Sequence, residues 1–355
     1  MPEVRIFLLT CRRPALLPRA LASLRSQTFK DWICELHNDA PEDDYPRRLV
    51  AETADPRIVY HHHEKNWGAA VSFRHAFRGG PEPFLALLED DNWWEPDFLL
   101  AALTALREEP RASVAWANMR IWRENADHTW ADTGRTIWDF DHGDHRPRLF
   151  HWPQPLQIFD ALHSNGAMLC RSSVSCSALP PPDCPFDLVE SIRERLVPGG
   201  WLLLPRPLAH FALTLQTSRS INRARWMQVQ LLIAVSHLLV ARPSRSQISR
   251  LWDTLRKQQP PATNVLFLAA LSDFALLRVL RHARAKDWCR FLCAALRRPL
   301  LHLRAMRFRS DYPASWRALL DGACSRLAEN PAPSEDIWRK QLKPCNDERL
   351  PEPKC

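Results

Sequence analysis

Apolar residues in the first half of the chain follow two alternating patterns. Short unbroken runs such as Phe84-Leu85-Ala86-Leu87-Leu88, bounded by Pro83 and Pro96, are too brief for an ordinary helix and read as strands buried on both faces. Between the runs, positions such as Leu16, Leu17, Ala20, Leu21 and Leu24 recur at the i, i+3, i+4 spacing of an amphipathic helix. Pro18 falls in that helix's first turn, where a missing donor is tolerated. The pattern predicts strands over residues 4–9, 32–37, 57–61 and 84–88, with helices over 15–26, 46–53 and 66–77. Such alternation is the mark of a doubly wound, mostly parallel sheet with helices on both faces and right-handed crossovers.

A helix over 97–107 and a strand over 113–117 continue the order. Residues 118–155 are rich in Trp, His and Asp without a clear period, which predicts a long functional loop. A strand at 166–170, a helix at 187–196 and a strand at 201–205 close a first domain at residue 220. From 221 to 328 apolar runs alternate with Arg-rich breaks, the pattern of a smaller all-α region, and residues 329–355 read as a loosely ordered tail. The runs 229–240 and 265–280 each fall short of the roughly 20 unbroken apolar residues that cross a bilayer.

Composition adds the compartment and the charge. The 355 residues are 46% hydrophobic and 25% charged, as in a soluble globular protein. The first residues lack the three-part pattern of a signal peptide, and the ten cysteines lack the spacing of a disulfide scaffold, so a reducing, cytoplasmic location is expected. Cys289 and Cys293 are four apart, but no second pair completes a zinc set. The net charge of +8 hides an asymmetry: residues 219–355 carry 25 basic against 11 acidic side chains, and residues 1–218 carry 23 against 29. No nucleic-acid-binding signature accompanies the basic half, so no nucleic acid is expected. Arg-rich breaks between apolar helices instead suit peripheral docking on an anionic membrane at its inner face, or a basic solvated face that serves packing alone.

Candidate chemistry begins behind the run at 84–88. Glu89, Asp90 and Asp91 would stand at the carboxyl end of a buried strand, where open α/β sheets bind ligands. Hard oxygen donors there suit Mg²⁺ or Mn²⁺ with substrate phosphates; a plain helix-capping turn is the competing reading. His61, His62 and His63 are consecutive, alternate faces on a strand and cannot converge on one ion. Trp93 or Trp94 is the expected sugar-stacking aromatic.

Several separated motifs together resemble the family-2 glycosyltransferases of the GT-A fold over about residues 3–220. These are Phe7-Leu8-Leu9-Thr10-Cys11-Arg12-Arg13-Pro14, the first helix ending in Gln27-Thr28, His37-Asn38-Asp39, Asn66-Trp67-Gly68 with Arg74, Glu89-Asp90-Asp91, and the Phe186–Leu196 segment. The resemblance implies inverting, metal-dependent transfer from a nucleotide-sugar, with a UDP-sugar as the expected donor, to a glycan or lipid-linked acceptor in cell-surface polysaccharide synthesis. It implies that Thr10, Asp39 and Arg74 contact the nucleoside, Glu89 or Asp90 the ribose, and Asp91 the Mn²⁺ or Mg²⁺. The catalytic base would be Glu190, with Asp187 in reserve. Three positions depart from the family pattern. Asn38 replaces one of two paired acids, Ser191 stands where an Asp is usual, and Leu215-Gln216 lies where many members carry a metal-binding His, leaving water or His210 to complete the ion's shell. A degenerate, non-catalytic nucleotide- or glycan-binding protein of the same fold is the alternative. A further local likeness, of Phe186–Ser191 and Leu196–Gly200 to methyltransferases that use S-adenosylmethionine, lacks the Gly-rich turn those enzymes need after their first strand.

Overall fold

The computed structural model describes residues 1–140, 145–215, 222–258, 261–329 and 343–344. Strands β1 (Val4–Thr10), β2 (Trp32–Asn38), β3 (Ile58–His62) and β4 (Phe84–Glu89) alternate with helices α1 (Leu17–Arg25), α2 (Tyr45–Thr53) and α3 (Ala69–Ala76). The chain continues through β5 (Trp93–Trp94), α4 (Phe98–Glu108), β6 (Ala112–Glu124), β7 (Trp130–Thr136), β8 (Trp138–Asp139) and β9 (Arg148–Phe150). Next come β10 (Met168–Arg171), α5 (Ser172–Ser177), α6 (Val189–Leu196) and β11 (Gly200–Leu213).

The main sheet runs β3-β2-β1-β4-β10-β6-β11-β5. Its first four strands are parallel, β10 is antiparallel to both neighbours, and β11 returns parallel to β6. Strand alternation sends Phe7, Leu85 and Leu87 to one core and Ile6, Leu8, Ala86 and Leu88 to the other, so each face of the sheet carries its own packed layer. Leu85, Leu87 and Leu88 are fully buried, worth roughly 1.5–3 kcal/mol each. This rigid strand delivers the acidic triplet.

The described residues between 118 and 155 hold more regular structure than their composition predicts. β6 extends to Glu124 and forms a hairpin with β7, and β9 pairs with β11. Buried Asn118 explains the continuity: its amide donates to the carbonyls of Trp138 and Pro205 and its Oδ1 accepts from Trp138 N–H, stitching β6 to β8 and β11 where the register of β11 shifts. Pro205 and Pro207 lie at that irregularity, which lets β11 run on past the predicted end at 205.

Helices α7 (Arg223–Ala241), α8 (Arg245–Lys257), α9 (Asn264–Ser272), α10 (Ala285–Arg297), α11 (Pro299–Ala305), α12 (Phe308–Asp311) and α13 (Pro313–Glu329) form the helical region. It shares a core with the sheet: Val229, Leu232 and Val235 of α7 belong to the same cluster as Leu188 and Ile192 beside α6. α7 is long and apolar enough to cross a membrane by length and composition, yet 61% of that stretch is buried inside the fold. The predicted tail at 329–355 lies outside the described residues, apart from Glu329 and the two-residue strand β12 (Lys343–Pro344), which pairs with β8.

His237 of α7 marks the seam between the two regions. Its ring meets Trp152 edge-on at 5.9 Å, its Nδ1 has no hydrogen-bond partner, and burial, with Arg195 adding repulsion, pushes its pKa down to about 3. An unfolded histidine titrates near 6.5, so as pH falls below that value the unfolded chain takes a proton that the folded chain refuses. Stability is therefore lost progressively between about 6.5 and 3. His237→Phe is expected to remove about 2 kcal/mol of the stability difference between pH 7 and pH 5. Urea unfolding of both proteins at the two pH values measures it.

Candidate active site at the carboxyl ends of the sheet

β1, β2 and β4 end side by side, with Leu9 opposite Glu89 and Thr10 opposite Asn38. The turn after β1 is tight: Arg12 takes a left-handed φ of 55°, pairs outward with Glu42, and leaves Arg13 to fold back over the triplet. Arg13 Nη1 donates to Asp91 Oδ2 at 2.6 Å. Thr10 Oγ1 and the Cys11 N–H both donate to Asp90 Oδ2, at 2.8 and 3.2 Å. Glu89 Oε2 accepts from Asn92 Nδ2 at 3.0 Å. The three carboxylates are thus turned to three different partners.

Burial is the first cause of raised pKa values throughout the triplet. Glu89 is held well above the carboxylate range, with Asp91, Glu190 and Asp90 adding repulsion, and Asp90 is pushed up to about 7. Asp91 is also raised by burial, although Arg13 works against it. Crowded acids of this kind are eased by an added cation. Asp91 meets Arg13 through Oδ2. The donor set fits an ion held by one or two carboxylates whose remaining positions go to phosphate oxygens and water.

Glu190 reaches the same place from α6. Its Oε1 accepts the Asn165 N–H at 2.7 Å, and its charge acts on Glu89. The loop that permits this is fixed by a buried carboxylate: Glu194 Oε1 accepts from the Leu162 and His163 N–H groups at 2.6 and 2.9 Å and from His163 Nδ1 at 2.8 Å. Gly166 is required beside it, since a Cβ there would lie 2.7 Å from Asn92 Nδ2 and 3.0 Å from Glu89 Oε2.

Comparison with known proteins bears on this arrangement. Residues 6–170 match the model of glycosyl transferase family 2. Over those residues, just under half of the chain, the protein is similar to that family. It is 25% identical over 118 residues to WcaA of Escherichia coli K12, named as a colanic acid biosynthesis glycosyl transferase, covering 33% of this chain and 42% of that one. Protein y4gI of Sinorhizobium fredii is 26% identical over 107 residues, covering 30% of this chain and 12% of its own. The chain therefore spans less than half the length of these curated relatives. Among solved structures, S. aureus TarS 1-349 in complex with UDP-GlcNAc superposes with a TM-score of 0.57 at 14% identity, covering 90% of each chain. The likeness in fold thus extends beyond residues 6–170 into the helical region.

At the carboxyl ends of the sheet, Thr10, Glu89, Asp90, Asp91 and Glu190 come together. Asp39 is adjacent but occupied. Its carboxylate accepts from the Trp67 and Gly68 N–H groups at 2.6 and 2.8 Å and faces His63 Nδ1 at 3.1 Å, fixing the turn into α3 where Gly68 takes a φ of 78°. Arg74 lies apart, its guanidinium donating to the Pro180 carbonyl. Asp187 acts on Tyr312, at the helical region, and is not among the charges felt by Glu89.

Two expectations are corrected. His210 is no candidate ligand, because Nδ1 accepts from Trp122 Nε1 at 2.9 Å and Nε2 is spent on Glu95 at 2.9 Å. Trp94 is buried, donating to the Gly166 carbonyl, and the Trp93 ring is taken up by His210, stacked at 4.6 Å, and by the Arg19 guanidinium at 3.6 Å. Arg193 and Arg195 of α6 are both fully buried, and Arg193 donates to the carbonyls of Ser175 and Ala178. Arg13 and Arg19 are the residues that sequence reasoning missed. Arg19 Nη2 donates to the Asp91 carbonyl at 3.1 Å, and the only hint was a basic turn and helix face opposite an acidic strand end.

Proposed function

We propose that this protein transfers a sugar, with inversion, from a nucleotide-sugar to an acceptor hydroxyl. The observation that carries the reading is the meeting of Glu190 with the Glu89–Asp91 cluster, from distant parts of the chain, at the carboxyl ends of the sheet. Thr10 and Asp39 would line the nucleoside, and Arg74 would have to leave the Pro180 carbonyl to join them. Asp91 would hold Mn²⁺ or Mg²⁺, whose contribution is to neutralise the departing diphosphate. Arg13 and Arg19 supply fixed positive charge on the same side. Glu190, oriented by the Asn165 N–H, would take the acceptor's proton as its oxygen attacks the anomeric carbon.

The test is nucleotide release from a panel of UDP-, GDP- and dTDP-sugars with Mn²⁺ or Mg²⁺, with and without chelator and candidate acceptors. Chelator-sensitive release is expected from one donor class. Binding without release in every combination would favour the non-catalytic reading, which draws on the Arg13–Asp91 pair and on the commitment of Asp39 to the α3 turn.

The acceptor class is proposed from the other end of the molecule. In the helical region, Phe274, Leu296, Leu300 and Leu303 are 90%, 81%, 69% and 64% exposed, and Arg297, Arg298 and Arg304 beside the leucines in sequence are exposed as well. Large exposed apolar side chains amid arginines suit insertion at an anionic lipid surface, where a lipid-linked acceptor would be met. Flotation with liposomes containing anionic lipid is expected to carry the wild-type protein and to lose most of it in Leu296→Glu/Leu300→Glu. Recovery indifferent to lipid charge would dispose of the idea.

A further inference from the structure

Away from the acidic triplet, the edge of the sheet gathers a second set of donors. Glu35 and His37 lie two apart on β2 and so share a face, and His61 of β3 stands directly opposite His37. Among the described residues, these three form the one group of His, Cys, Asp or Glu whose candidate ligand atoms all lie within 4.8 Å of one another. The expectation that His61, His62 and His63 cannot share an ion holds for that trio. His62 turns toward Tyr60, and His63 leaves the strand for Asp39. What the linear sequence concealed is the partner on the neighbouring strand.

Hydrogen bonding leaves one contact in this chain of side chains without a hydrogen. Glu35 Oε2 faces His37 Nε2 at 3.2 Å, His37 Nδ1 faces His63 Nε2 at 3.0 Å, and His63 Nδ1 faces Asp39 Oδ1 at 3.1 Å. These are three contacts between two carboxylates and two imidazoles. Two neutral rings carry two N–H donors, so they satisfy two contacts and leave the third without a hydrogen. If His37 donates through Nδ1 to His63, and His63 donates through Nδ1 to Asp39, the unfilled gap is the one between Glu35 and His37. A cation there needs no hydrogen. His61 stacks on His37 at 4.7 Å and brings a second imidazole to the same gap, with no hydrogen bond of its own among the described residues.

We propose that Glu35, His37 and His61 bind a transition metal ion of the zinc class. Two imidazoles and one carboxylate form a donor set that suits Zn²⁺ better than Mg²⁺ or Mn²⁺, and Glu35 and His61 are accessible enough for an ion to enter at this edge. Arg5, which pairs with the other oxygen of Glu35 and with Glu82, fixes the carboxylate. The His37–His63–Asp39 relay behind the ion is the outer support that metal-binding histidines generally need. Its far end is the Asp39 carboxylate that holds the Trp67–Gly68 turn, so occupancy of the edge site would steady the entry to α3. The proposal is independent of the sugar-transfer reading and of any ion at Asp91.

The test uses the full-length chain stripped by chelator and dialysed. Zn²⁺ is titrated against a chromophoric competitor, and Co²⁺ is added separately for its visible spectrum. The wild-type protein is expected to take up zinc, and both His61→Ala and Glu35→Gln to bind it at least about tenfold more weakly with loss of the Co²⁺ bands. Asp91→Ala is expected to bind zinc as the wild type does, which separates this site from the acidic triplet. Matching melting temperatures of the metal-free proteins show that the variants are folded, and Glu35→Gln preserves the shape of the site should His61→Ala not be. Absence of zinc uptake by the wild type, or unchanged affinity in both variants, would overturn the site. Amide exchange at Trp67 and Gly68 that is unaltered by zinc would overturn the coupling to α3.

Discussion

Glu190→Gln is expected to retain donor affinity and to lower sugar transfer by roughly 10²–10⁴-fold, the usual contribution of a positioned general base. The amide keeps the side chain's length and can still accept from the Asn165 N–H, so the loop between β9 and β10 should hold its place. What it loses is the ability to take a proton. Donor binding measured by calorimetry and transfer measured by nucleotide release with acceptor present separate the two effects. A rate near that of the wild type would move the role to another acid. Asp187 is the less suitable heir, because its charge is felt by Tyr312 on the helical side rather than by the triplet.

Asp91→Ala is expected to lower metal-dependent donor affinity by more than about 100-fold, beyond the 10–100-fold common for loss of an outer support to a metal. The fold should survive. Asp91 adds repulsion to both Glu89 and Asp90, so its removal eases a crowded cluster, and Arg13, although it forfeits its ion pair with Asp91, still lies 4.0 Å from Asp90. The melting temperature of the metal-free variant is therefore expected to equal or exceed that of the wild type. Donor affinity that stays metal-dependent in Asp91→Ala would sink the assignment.

The two outcomes would also weigh the three departures from the family pattern. Ser191 is buried at 4% exposure with no partner for its hydroxyl, one residue from Glu190. An Asp there would place another carboxylate in a buried, acid-rich region. Its replacement leaves Glu190 as the acid of α6 that faces the cluster. With His210 sealed by Trp122 and Glu95, the proposed ion would depend chiefly on Asp91.

Hydrophobic periodicity by itself determined the alternation of β1 to β4 with α1 to α3, and with it the delivery of Glu89, Asp90 and Asp91 to the carboxyl edge of the sheet. That was legible because a strand buried on both faces must be apolar throughout, and a helix packed on one side must repeat at its own period. Local spacing also placed Glu190 at the start of a helix. The tertiary structure decided what those residues meet. It turned Arg13 onto Asp91, committed Asp39 to the α3 turn, sent Arg74 to Pro180, carried β6 through residues whose polarity had read as loop, and ran β11 past its predicted end at 205. It buried Arg193, Arg195 and Glu194, which as i, i+1 and i+2 neighbours on a short helix gave no hint of lying inside. It also joined His61 to Glu35 and His37 across two strands. Each of these depends on a partner distant in the chain, and an interaction set by strand order and register leaves no trace in the spacing of either partner alone.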